Sequence, residues 1–163
     1  MYELTRNPDF VRRTADGANI PVNIPLNSDC DAYQKWVAAG NVPSHPMADL
    51  IKYANDVQWA KAISGVVRIE VDGVLVPFLT TQASMSLLNG KILAMTMPDG
   101  PAMANWQVGP TEFMAIPKPA LIEAGRAVEA YVQSTFDKLP AIFAGIADGS
   151  IATPAAINDA FNQ

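Results

Sequence analysis

The residues from which catalytic and metal centres are usually built are scarce in this sequence. Its 163 residues include one cysteine and one histidine. The single Cys30 excludes an internal disulfide and a multi-cysteine metal site. A Ser-His-Asp triad would need His45, which lies in a proline-flanked loop poorly suited to orienting an imidazole. The carboxylates are scattered singly and the glycines lack a phosphate-binding spacing, so we expect no catalytic residue, no metal and no cofactor.

Long apolar runs and clustered positive charge are also missing. No stretch approaches the ~18 consecutive apolar residues of a membrane span, and the opening MYELTRNPDFVRR lacks the order of a secretory signal. The net charge of −5 is unfavourable for nucleic acid, which is bound by clustered Lys and Arg. We therefore expect a soluble protein made in the cytoplasm, without membrane insertion and without a nucleic-acid partner. With 50% hydrophobic residues, a buried core is expected.

The strongest helical pattern lies in residues 119–139. Apolar residues recur there every three or four positions, which predicts one buried helix face. That face would consist of Leu121, Ala124, Val128, Tyr131, Val132, Phe136 and Leu139. Pro119 suits the first helical position, whereas Pro140 should kink or end the helix near Leu139. Because a helix of ~20 residues with one apolar face must be covered, we expect it to organise the core.

A tight β-hairpin is predicted in residues 66–79, VVRIEVDGVLVPFL. Its centre, Asp72-Gly73, is the dipeptide that best fits a two-residue hairpin turn. The register that follows places six apolar side chains on one face, in the pairs Val71–Val74, Ile69–Val76 and Val67–Phe78. Pro77 cannot donate a ladder hydrogen bond and is expected at an edge position.

Other elements follow from weaker signals. A second hairpin is predicted from residues 105–108 and 112–115, joined by Gly109-Pro110. Helical spacing recurs in residues 29–39, 47–63 and 81–96, and a last helix should begin after a Thr153 cap. The helix of residues 47–63 would also suit a short bundle between identical chains.

Residues 1–28 show neither helical nor strand periodicity over any length. Pro21 and Pro25 push the residues before them toward extended geometry. We interpret this segment as an extended arm that docks on a partner subunit rather than packing on itself. The alternative is an ordinary irregular N-terminal segment that lies on its own domain.

Two aromatic residues share a face of the short helix that follows the arm. Tyr33 and Trp36 are residue types favoured at interfaces, so together with Pro21 and Pro25 they are the predicted partner-binding residues. The alternative is that both rings anchor the helix to the nearest core.

These patterns predict an α+β fold in which two β-hairpins pack on a long amphipathic helix, with an extended N-terminal arm and short helices. The expected division is an arm and short helix in residues 1–46, a linking amphipathic helix in residues 47–64, and a small α+β domain in residues 65–163.

The order of these signatures resembles a phage domain. The string GVVRIEVDGVLVPFLTTQASMSLLNGKILAM is followed by strands bearing Trp106 and Phe113 and by a helix ending AVEAYVQSTFDK. This resembles the domain of unknown function found at or near the C-termini of many bacteriophage tail-fibre and related tail proteins. Upstream, IPVNIPLNSDCDAYQKWVAAGNVP resembles the Tyr-x-x-Trp and Gly-Asn-x-Pro segment that often precedes it. Together the two resemblances cover about residues 20–160.

The chain departs from that family pattern at two places. The acidic residue usual after the first hairpin is replaced by Leu79-Thr80-Thr81, and Pro140 interrupts the helix continuation. The resemblance implies no activity, since the family offers none.

The resemblance implies a structural component of a phage tail, assembled in the host cytoplasm, that contacts other tail proteins. A second class of partner is further copies of the same chain. An alternative is a tail-fibre assembly chaperone that is absent from the mature particle. An enzyme acting on host surface polysaccharide is a further alternative, but it would need converging carboxylates. The face of Arg68 and Glu70 on the first hairpin offers no such cluster.

Overall fold

The computed structural model describes residues 1–163 and has the predicted α+β class, with three small antiparallel sheets and six helices. The strands are β1 (Tyr2–Leu4), β2 (Phe10–Arg13), β3 (Asn19–Pro21), β4 (Val66–Val71), β5 (Val74–Leu79), β6 (Met103–Gln107) and β7 (Phe113–Pro117). The helices are α1 (Ser28–Ala38), α2 (Met47–Ser64), α3 (Gln82–Thr96), α4 (Lys118–Asp137), α5 (Leu139–Asp148) and α6 (Pro154–Asn162).

The chain forms two compact units. One consists of Met1–Asn55 with Pro140–Gln163, and the other of Asp56–Leu139. These bounds differ from the predicted division at residues 46 and 64, because the last two helices group with the N-terminal part of the chain. We call the second unit the central unit and the first the terminal unit.

The first predicted hairpin is confirmed in every pair of its register. β4 and β5 pair antiparallel with Val71 opposite Val74 and Val67 opposite Phe78. Asp72 and Gly73 have φ of 50° and 80°, as a two-residue turn of the primed type requires. Of the six side chains expected on the inner face, only Val74 is exposed, because it flanks the turn beyond the edge of the core.

The long helix lies at the centre of the central unit, as predicted. α4 packs against β4, β5, β7 and α3. The buried core consists of Ile69, Val71, Val76, Phe78, Leu88, Met95, Trp106, Ile116, Leu121, Ala124 and Val128. α4 ends at Asp137 and α5 begins at Leu139, so the interruption expected from Pro140 is also confirmed.

The predicted buried face of α4 was wrong at its C-terminal end. Phe136 is 42% exposed, and Thr135 is buried instead. At 3.6 residues per turn, Thr135 lies ~20° from Val128 around the helix axis, whereas Phe136 lies ~80° away. The Thr135 hydroxyl accepts a 2.9 Å hydrogen bond from the Gln58 side chain, which satisfies both polar groups inside the unit.

A close approach at Gly65 joins the first hairpin to α4. A Cβ at Gly65 would lie 2.3 Å from the Tyr131 ring, so only glycine fits there. The Gly65 N–H donates to the Thr80 hydroxyl at 2.7 Å, and the Thr80 N–H donates to the Gly65 carbonyl at 2.9 Å. The Tyr131 hydroxyl donates to the Lys61 carbonyl at 3.2 Å.

The N-terminal arm is extended but packs on itself, which corrects the expectation that residues 1–28 would not do so. Its docking on a partner subunit stays a prediction. β1, β2 and β3 form an antiparallel meander with Leu4 opposite Val11 and Val11 opposite Ile20. Asp16-Gly17 forms the second turn, with Gly17 at φ 74°. Strands of three or four residues contain too few alternations to show a period of two, so the pattern was not visible.

Outside this meander, the terminal unit is helical. Asn27 caps α1 by accepting hydrogen bonds at 3.0 Å from the Asp29 and Cys30 N–H groups. Thr153 caps α6 as predicted. The side chains of Tyr53 and Asn158 exchange hydrogen bonds at 3.1 and 3.4 Å and connect α2 to α6.

Candidate functional site

Two of the four predicted partner-binding residues meet in a small aromatic cluster of the terminal unit. The rings of Tyr33 and Trp36 each lie 5.1 Å from that of Tyr2, both in edge-on geometry. Tyr2 is buried with Val11 and Ile20, and Tyr33 and Trp36 are half-buried against these residues. This arrangement is that of the alternative interpretation, in which both rings anchor α1 to the nearest core.

Arg13 forms two ion pairs, one within the meander and one between the meander and α1. The Arg13 guanidinium donates to Asp16 at 2.7 Å and to Asp29 at 2.6 Å. These hydrogen bonds raise the pKa of Arg13 and lower the pKa of Asp16 to about 2. The two carboxylates stabilise the fold locally through their hydrogen bonds to Arg13.

Of the other two predicted residues, Pro21 precedes a strongly exposed apolar segment and Pro25 lies within it. Pro21 is half-buried at the end of β3, whereas Pro25 is exposed in the connection to α1. We call Ile24, Pro25 and Leu26 the Ile-Pro-Leu segment. Leu26 is 100% exposed and has φ 65°, a backbone region that non-glycine residues rarely adopt. A large apolar side chain held in this way is available for contact with another molecule.

A concave surface that was not predicted lies in the central unit. It is a groove of about 500 Å³ between β5, α3 and the second hairpin. Its principal lining residues are Pro77, Leu79, Leu87, Lys91, Trp106 and Phe113. Lys91 is the only charged residue of the lining, so the groove is apolar with one positive group.

The walls and floor of the groove differ in exposure. Leu79, Leu87 and Phe113 are 47%, 55% and 67% exposed, whereas Trp106 is buried. The Trp106 indole N–H donates to the Pro77 carbonyl at 3.4 Å, and its ring lies 5.0 Å from that of Phe78. A buried aromatic floor with exposed apolar walls is typical of the anchor sites at protein interfaces.

One signal in the sequence could have revealed this groove. β5 reads VLVPFL, an apolar run without polar alternation, so both of its faces are apolar. The inner face accounts for Val76 and Phe78, which leaves Leu75 and Leu79 on the outer face. The positions of Leu87 and Phe113 beside Leu79 depend on the packing of α3 and the second hairpin.

The titratable side chains do not form a metal site. No group of three or more His, Cys, Asp or Glu side chains is placed to hold a metal ion. His45 is half-buried in the connection before α2. The pKa of Asp148 is lowered, because its carboxylate accepts hydrogen bonds from the Ser150 hydroxyl and the Ser150 N–H within the turn after α5. None of the helices is both long and apolar enough to span a bilayer.

The fold and these surfaces define a small α+β protein with an apolar groove in its central unit. Comparison with family profiles then identifies the family. The profile described as Domain of unknown function (DUF4376) matches residues 45–162, and the chain belongs to this family. The matched range contains all of the groove residues. Neither the curated proteins nor the solved structures gave a match to the chain.

Proposed function

We propose that this chain is a structural component of a bacteriophage tail, as part of a tail fibre or baseplate or attached to one, and that it acts through protein–protein contacts. Its partners are other tail proteins, its location is the virion tail, and it carries out no reaction. The order of motifs that resembles tail-fibre-associated domains supports the tail role.

The observation that carries the contact role is the apolar groove. Three large side chains, Leu79, Leu87 and Phe113, remain about half exposed or more around the buried Trp106. Covering such side chains gains ~25 cal/mol for each Å² of apolar surface removed from water. Contacts of this kind concentrate binding energy in a few residues, as expected for a subunit that holds neighbouring subunits.

The tail role is tested by locating the chain in the particle. Mass spectrometry of purified virions from the phage that encodes it should detect the chain in fixed proportion to known tail proteins. Detection in the infected cell together with absence from virions would contradict a structural role and favour the assembly chaperone.

The contact role is tested by a matched pair of substitutions on α3. Leu87→Glu puts a charge in the groove wall, whereas Leu93→Glu changes a leucine of similar exposure, 60%, outside the lining. Incorporation into virions should fall with Leu87→Glu and stay normal with Leu93→Glu. Equal incorporation of both variants would show that the groove takes no part in assembly.

A further inference from the structure

The chain exposes two apolar features. One is the Ile-Pro-Leu segment, whose Leu26 is 100% exposed, and the other is the groove with its Trp106 floor. We infer that the Ile-Pro-Leu segment of one copy of this chain docks in the groove of a second copy. The inference rests on the proposed role in protein–protein contacts, but not on the location of the chain in a tail.

The chemistry of the groove suits a short proline-containing segment. Pro25 restricts Ile24 to extended geometry, so the segment loses little conformational entropy on docking. Proline-containing extended segments are commonly bound in grooves lined by aromatic residues. Here Trp106 and Phe113 are the two aromatic residues of the lining.

The charges beside the two surfaces are complementary. Lys91 is the one charged residue in the lining, and the structure shows no ion pair for it. Asp31 follows the Ile-Pro-Leu segment in the first turn of α1 and is exposed. Asp29, by contrast, is bonded to Arg13. An Asp31–Lys91 pair between copies would orient the docked segment.

The resulting contact is heterologous, because it joins one surface of a copy to a different surface of the next. Such contacts generate rings or longer assemblies from identical chains. A second copy is favoured over an unrelated partner because this chain itself carries a segment with the required apolar residues, proline and following acid.

The first test is the mass of the purified full-length chain in sedimentation velocity over a concentration series. The mean mass should rise above the 17.4 kDa of one chain. Leu87→Glu in the groove and Leu26→Asn in the segment should each weaken association about tenfold or more. Asn tolerates the left-handed backbone of position 26, so folding is retained.

Two control variants test whether the effect is local. Leu93→Glu lies on α3 outside the lining, and Val42→Asn replaces an exposed apolar residue away from the segment. Both should associate like the parent chain. A parent chain that stays monomeric at all concentrations, or that associates equally well with Leu87→Glu and Leu26→Asn, would overturn the inference.

Mixing the two defective variants is the sharper test. The Leu87→Glu chain keeps an intact segment and the Leu26→Asn chain keeps an intact groove, so an equimolar mixture should form a dimer although each alone is monomeric. Failure of the mixture to form this dimer would overturn a segment-in-groove contact.

The orientation is tested by charge exchange. Asp31→Lys and Lys91→Asp should each weaken association, and a chain with both changes should recover it. Losses that simply add in the double variant would contradict the proposed orientation. Because all of these measurements use purified protein, they are independent of whether the chain is found in virions.

Discussion

The β-structure of the central unit and that of the N-terminal meander are held together in different ways. The central unit has two strands of six residues joined by a two-residue turn, and its core cluster contains eleven buried residues. The meander has strands of three or four residues and a cluster of three buried residues, Tyr2, Val11 and Ile20. Half-buried aromatics and the Arg13 ion pairs supply the rest of its contacts.

The difference shows how strand length affects both the stability of a sheet and the ease with which its strands are detected in the sequence. Six-residue strands carry several inward-facing side chains each, so burial dominates and the alternation is visible in the sequence. Strands of three residues bury one side chain each, so their stability depends on contacts with α1. Substitutions should therefore have large effects in the central unit and smaller effects in the meander.

The largest effect is expected from Phe78→Ala in the central core. Phe78 is fully buried, so removing its ring should lower the free energy of unfolding by about 3–5 kcal/mol. Phe136→Ala is the matched control. This phenylalanine is 42% exposed and lies outside the buried core, so its replacement should lower the free energy of unfolding by less than about 1 kcal/mol. Urea unfolding of both variants measures the difference, and similar losses would contradict the burial assigned to α4.

Gly65→Ala should lower the free energy of unfolding by about 1–3 kcal/mol. The added methyl group would overlap the Tyr131 ring, and either the hairpin or the helix must shift. Gly90→Ala is the control, because nothing lies within 4 Å of its added Cβ and alanine favours the α3 helix. Thermal unfolding should show opposite shifts for the two variants. A neutral Gly65→Ala would mean that the close approach to Tyr131 is not tight.

Trp36→Ala removes a half-buried ring of α1 and its contact with Tyr2 in the meander. It should lower the free energy of unfolding by about 1–2 kcal/mol. The amides of β1, β2 and β3 should then exchange faster with solvent, while those of α4 stay protected. Val37→Ala, at the next and more exposed position of α1, should leave exchange unchanged. If the β2 amides stay equally protected from exchange in the Trp36→Ala variant, the result would favour a role of Trp36 in partner binding.

The smallest effect is the pH dependence of the Arg13–Asp16 pair. The pKa of Asp16 is lowered from 3.8 to about 2, because the charged carboxylate is hydrogen-bonded in the folded state. Its stabilising contribution is therefore present above about pH 4 and is lost as the pH falls through about 2. The stability difference between the parent chain and Asp16→Asn should shrink over this range. If the stability difference between the two chains stays constant with pH, the charge of the Asp16 carboxylate is not the source of the stabilisation.

Much of the central unit was predictable from local signals. The Asp72-Gly73 turn determined the register of the first hairpin, and Pro140 marked the end of α4. The prediction for Phe136 was wrong because it followed the apolar character of that side chain. The smaller Thr135 has the helical angle of the buried face. Thr135 could only be recognised as buried once Gln58 was known to bond to it.

The candidate surfaces were predictable only in part. Pro25 was identified beside what proved to be the most exposed apolar side chain, Leu26. Tyr33 and Trp36 were recognised as a shared face, but their partner Tyr2 lies far away in sequence. The groove was missed because its walls come from β5, α3 and the second hairpin, and no short pattern contains all three.

The sequence by itself determined the α+β class, the first hairpin with its register, and the helix that ends before Pro140. These features depend on backbone geometry and side-chain periodicity within a few neighbouring residues. Only the tertiary structure decided that Tyr131 excludes a side chain at Gly65, that Tyr2 holds α1, and that Leu79, Leu87 and Phe113 remain exposed around Trp106. Those outcomes depend on which distant segments cover one another, because burial is a property of the packed chain rather than of any single stretch.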